Sequence, residues 1–112
     1  MSTSSSKPWP PPPDLASIQE LVTNADVDGF IAEGAHADEY ESEAERIFEQ
    51  IAHLATDDLV AAKLLPIVES IWTDSFKLDA SALGAKRPQL TALAGEIERF
   101  FGPGARPQVR GA

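Results

Sequence analysis

The residues of this chain that could do chemistry are mostly carboxylates. Asn24-x-Asp26-x-Asp28-Gly29-x-Ile31 places oxygen ligands at positions one, three and five, a glycine at six and an aliphatic residue at eight. A calcium-binding loop that follows a helix begins in this register, because a hard cation needs several oxygens and the glycine lets the chain turn sharply around it. The pattern stops at position twelve, where Ala35 stands in place of the glutamate that would supply two oxygens. Asn24, Asp26, Asp28 and Glu33 are therefore candidate ligands of a degenerate site closed by Asp38 or Glu39, with a simple capped turn as the alternative.

His36 and His53 are the two histidines. His36 lies close to Asp38 and Glu39 in sequence, but no second histidine follows at helical spacing, so the pattern of a zinc-binding helix is missing. For His53, at the end of a helix, the dipole and a contact from Glu49 are a sufficient explanation. The absence of cysteine excludes thiolate metal sites, disulfides and a cysteine nucleophile. No spacing brings a nucleophile, a base and an orienting group together, so no catalytic residue is assigned and no cofactor is expected.

These residues must be positioned by helices. Residues 1–13, MSTSSSKPWPPPP, lack the composition of a packed core and read as a stiff, solvated polyproline leader, expected to be disordered, with Trp9 free to fold back onto the domain and a ligand for an aromatic-grooved module as the alternative. Asp14 stands as an N-cap before Leu15, Ile18, Leu21 and Val22, which predict a first helix to about residue 24. Asp26 to Gly29 then form a turn that delivers Phe30 and Ile31 to the core. Asp38, with Glu41 three positions on, predicts the capping box of a second helix whose apolar stripe is Tyr40, Ala44, Ile47, Phe48, Ile51 and Leu54. Its other face carries Glu39, Glu41, Glu43, Glu45, Arg46 and Glu49, with Arg46 placed to pair with Glu43 and Glu49.

Thr56 is the expected cap of a third helix with two apolar stripes, a width that marks it as the central helix, with a kink or break at Pro66. Residues 77–87 read as a connector with room for one helical turn near Asp79 to Leu83, and Pro88 as the first residue of a last helix that ends at Gly102-Pro103. No segment alternates as a strand would. The expectation is an all-α fold, a small bundle of about four helices spanning 14–102, with a disordered tail over 103–112.

Charge is distributed unevenly. The net charge is -9, yet residues 14–69 hold fourteen Asp and Glu against Arg46 and Lys63, while the chain from Lys77 onward is net basic. An acidic surface repels nucleic acid and anionic lipid and attracts basic proteins. Basic residues adjoin only at Lys86-Arg87 with no interleaved aromatics, which argues against a nucleic-acid interface. No apolar run is long enough to span a bilayer and no secretion signal opens the chain, so a cytoplasmic protein is expected.

Asp26, Gly29 and Phe30, followed by Asp38-Glu39-Tyr40 and the acidic Glu41 ahead of an amphipathic helix, resemble the YugE-like family of small bacterial helical proteins of unknown function. That family reads W-D-P-I-G-[FV] and then D-E-Y-D; here Ala25, Val27, Asp28 and Glu41 stand where it has Trp, Pro, Ile and Asp. The resemblance implies an all-helical domain and supplies no catalytic residue. The leading expectation is a non-enzymatic protein-binding module, of inhibitor or immunity type, that meets a basic protein through Asp38, Glu39, Glu43 and Glu49. A cation-responsive domain using the Asp/Gly turn is one alternative. A subunit that self-associates through Trp72, Phe100 or Phe101 is the other, and the oligomeric state is left open.

Overall fold

In the computed structural model, residues 12–35 and 37–105 are described, apart from the side chains of Ala37 and Asp38. The expectations for residues 1–11, for His36 and for 106–112 lie outside the described residues. Four α-helices form: α1 (Leu15–Ala25), α2 (Glu41–Ile51), α3 (Ala61–Phe76) and α4 (Ala80–Phe101), with short 3-10 turns at Ala37–Tyr40 and Thr56–Asp58. No strand occurs among the described residues. No helix of the described part is long and apolar enough to cross a membrane.

The helices close into a ring in which α1 packs on α2 and α4, while α3 packs on α2 and α4, most extensively on the latter. The core is one cluster drawn from all four: Ile18, Leu21 and Val22 of α1, Ala44, Ile47 and Ile51 of α2, Leu64, Val68, Ile71 and Trp72 of α3, and Leu90, Leu93, Ala94, Ile97 and Phe101 of α4, joined by Val27, Tyr40 and Leu59. Each fully buried aliphatic side chain contributes about 1.5–3 kcal/mol relative to an exposed one. The two stripes of α3 therefore serve its two neighbours, and α3 is one wall of the ring, not its centre.

Asp14 caps α1 as its position implies, its carboxylate accepting the backbone N–H of Ser17 at 2.9 Å. The starts of the other helices differ from expectation. α2 begins at Glu41, one 3-10 turn after Asp38, and its N-cap position is held by Tyr40 without a side-chain cap. Thr56 opens only a 3-10 turn; α3 begins at Ala61, whose N–H is capped from across the bundle by Glu98 Oε1 of α4 at 2.8 Å. α3 also runs as one helix through Pro66. Pro66 lies in the second turn, where a single missing N–H is offset by the core packing of Leu64 and Val68 on either side.

The largest difference is in α4. Residues 80–87 are helical, because Asp79 caps them by accepting the N–H of Ala82 at 2.8 Å, and Pro88 lies inside the helix. The connector shrinks to Lys77–Asp79, with Lys77 in the left-handed region at φ 53° closing α3.

Candidate functional site

The Asp/Gly turn begins where α1 ends. Asp26 adopts the left-handed conformation, φ 46° and ψ 53°, and its N–H bonds back to Val22, a helix ending that a short polar side chain tolerates better than most. This geometry turns the Asp26 carboxylate into the loop that follows, where it accepts the N–H groups of Ile31 at 3.0 Å and Ala32 at 2.9 Å. Gly29 and Gly34, both at positive φ, complete the loop.

Tyr40 joins this loop to the start of α2. Its hydroxyl donates to Asp26 Oδ1 at 2.8 Å and accepts the N–H of Asp28 at 2.9 Å, so one buried phenol fixes both aspartates of the turn. Burial, and then donation to Asp26, push the Tyr40 hydroxyl well above the usual phenol range. Burial alone would raise the Asp26 carboxyl, but the hydrogen bonds from Ile31, Tyr40 and Ala32 outweigh it and hold the group below the usual carboxylate value.

Asp28 carries the network to the far side of the bundle. Its side chain is only 6% exposed; Oδ2 accepts Trp72 Nε1 at 2.9 Å, and Oδ1 meets Lys86 Nζ at 2.6 Å. Around these bonds Phe30, Tyr40, Trp72 and Phe76 form a closed ring of aromatic contacts, with centroid separations between 5.7 and 6.2 Å. Such offset contacts add to simple area burial. Phe30 is delivered to the core as expected. Asp26 and Asp28 are thus spent on protein donors: N–H groups, a phenol and an ammonium.

The other candidate cation ligands are not brought into this network. Asn24 is exposed in the last turn of α1 and Glu33 is exposed on the loop. Among the described residues no group of three His, Asp or Glu is placed to hold a metal ion. His53 lies exposed in the turn after α2.

The acidic face of α2 is narrower than its spacing suggests. Glu39, Glu41, Glu45 and Glu49 are exposed, but Glu43 is buried, 7% exposed, and drops out of the face. Glu43 lies three residues after Tyr40 and four before Ile47, both in the core, so it shares their side of the helix. Asp38 sits in the 3-10 turn, and its side chain lies outside the described residues. Arg46 pairs with neither Glu43 nor Glu49: it reaches α3, at 3.0 Å to both Asp74 Oδ2 and Ser75 Oγ.

Trp72 and Phe101 are core residues, 0% and 2% exposed, which removes them from any surface for self-association. Phe100 is half-buried, with the Arg99 guanidinium 5.3 Å from its ring. Lys86, Trp72 as a hydrogen-bond donor, and Glu98 as the cap of α3 are the partners that no local pattern indicated; each acts between segments far apart in sequence. The chain matches no family model, no curated protein and no solved structure.

Proposed function

We propose that this chain is a small non-enzymatic protein-binding module that presents Glu39, in the 3-10 turn ahead of α2, and Glu41, Glu45 and Glu49 of α2 to a basic protein partner. The observation that carries this reading is a contrast in how charges are used. Arg46, Lys63, Lys86, Arg87 and Arg99 are each held in an ion pair within the bundle. Among the described residues, Glu39, Glu41, Glu45 and Glu49 have no such partner.

Like charges four residues apart, Glu41 with Glu45 and Glu45 with Glu49, cost a few tenths of a kcal/mol each on a helix, and the placement of Glu41 in the first turn of α2 only offsets this, so the surplus adds little to the fold. Their field does favour encounter with a cationic surface. An inhibitor or immunity-type role, in which these carboxylates cover a basic cleft, is the concrete form of the reading. The resemblance to the YugE-like proteins is compatible with it and adds no chemistry.

The test is parallel affinity capture from source-cell extract with the wild-type chain and with a Glu39→Lys, Glu45→Lys, Glu49→Lys variant. A single basic protein retained by the wild type, released by salt and lost with the variant is the expected result. Equal retention by both chains counts against the reading.

A further inference from the structure

The two halves of α4 are held in different ways. The second half buries Leu90, Leu93, Ala94, Ile97 and Phe101. Residues 80–89 bury no side chain fully; Ala82, Leu83 and Lys86 are half-buried and the rest are exposed. Pro88 marks the change. It has no N–H to give the carbonyl of Gly84, and Gly84 is itself exposed and without a side chain, so the helix is weakest where the two halves meet. The other end of the first half is also a joint: Lys77, a non-glycine residue at φ 53°.

Little apolar contact holds the segment between these joints. Leu78 and Leu83, both only partly buried, pack against the core cluster, and two ion pairs add to them. Arg87 meets Glu69 at 2.6 Å as a surface pair, its side chain 52% exposed, and surface pairs of this kind contribute little. Lys86 meets Asp28, whose carboxylate is almost wholly covered and whose only other side-chain partner among the described residues is Trp72. Removing the ammonium leaves a covered carboxylate with one N–H donor, an arrangement that favours movement of the segment away from Asp28 and admission of water.

We propose that Ala80–Arg87 is a latch arm, jointed at Lys77 and at Pro88 and held to the bundle by the Lys86–Asp28 pair, so that neutralising Lys86 frees the arm while Leu90–Phe101 stays packed. The released arm opens the bundle at the Asp28–Trp72 contact and leaves the α2 face in place.

Amide hydrogen exchange on the full chain, read by mass spectrometry, separates this device from general loosening. In Lys86→Gln the amides of 80–87 are expected to exchange about tenfold faster, with those of 90–101 close to wild type, and Lys86→Arg is expected to restore protection. Equal acceleration over both halves, or no change over 80–87, overturns the proposal. If Lys86→Gln does not fold, Asp28→Asn, which removes the charge from the other side of the pair, carries the same test. Protection must then fall over 80–87 with 90–101 close to wild type, and any other pattern overturns the latch.

Discussion

The phenol of Tyr40 donates to Asp26 at 2.8 Å across fourteen residues of chain, tying the end of α1 to the start of α2 through a side chain that is 1% exposed. The same oxygen accepts the N–H of Asp28, so the turn between the two helices is shaped from within the core. This contact decides how the Asp/Gly turn is used: its carboxylates hold the fold.

Tyr40→Phe keeps the ring and removes only the hydroxyl. Asp28 N–H then lacks its partner inside the bundle, and a loss of about 1–3 kcal/mol is expected in urea unfolding with an unchanged slope. A loss below about 0.5 kcal/mol would mean that the bond is not a structural one.

The Asp26 carboxyl is held below its ordinary value in the folded chain. Its contribution to stability is therefore fully present above the unfolded value of about 3.9 and is lost as pH falls through the lower folded value. Tyr40 works in the opposite sense: its folded value lies above that of the unfolded phenol, so its contribution is present below about pH 10 and falls away as pH rises beyond it. Unfolding curves of wild type, Asp26→Asn and Tyr40→Phe across pH are expected to differ in slope in those two windows; parallel curves would contradict the assigned hydrogen bonds.

Millimolar calcium is expected to leave the melting temperature of the wild type unchanged, because the Asp26 and Asp28 oxygens already accept from Ile31, Ala32, Tyr40, Trp72 and Lys86. A cation bound only by the folded form would raise the melting temperature with concentration. An upward shift that disappears in Asp26→Asn would restore the cation reading of the turn.

Glu98→Ala removes the acceptor for the first N–H of α3, and a loss of about 0.5–2 kcal/mol is expected, the range of an ordinary helix cap. Glu98→Gln retains an oxygen at the same reach and is expected to lose less. Equal losses would assign the effect of Glu98 to its charge and not to capping.

Gly102→Ala gives a steric check at the same end of the α3–α4 pair. The backbone there is extended enough for any residue, but an added Cβ would press on the backbone carbonyl oxygens of Leu59 and Glu98. Neither can move without shifting the chain, so a loss of about 1–3 kcal/mol is expected in thermal or urea unfolding. A neutral result would show that the Leu59 turn yields easily.

Much of the bundle is legible in the sequence because its rules are local. Asp14 before Leu15 and Ile18 announces α1, and the stripe from Tyr40 to Ile51 marks the buried side of α2. Glu43 was legible as well, since it falls between Tyr40 and Ile47 on that side, but its charge draws the eye to the outer face. Pro88 misleads for a physical reason: proline is best tolerated at a helix start, yet the Asp79 cap and the burial of Leu90 carry α4 past it. Asp28 with Lys86 and Trp72, and Glu98 with Ala61, leave no local trace, because each pair meets only after the helices have packed.

Zero-length carbodiimide cross-linking of the captured complex, followed by mass spectrometry, tests the acidic-face reading most directly, because the reagent joins carboxylates to amines in contact. Linkages from Glu39, Glu45 and Glu49 to lysines of the bound protein are the expected result. Linkages confined to acids away from α2, such as Glu69 or Glu96, would contradict it.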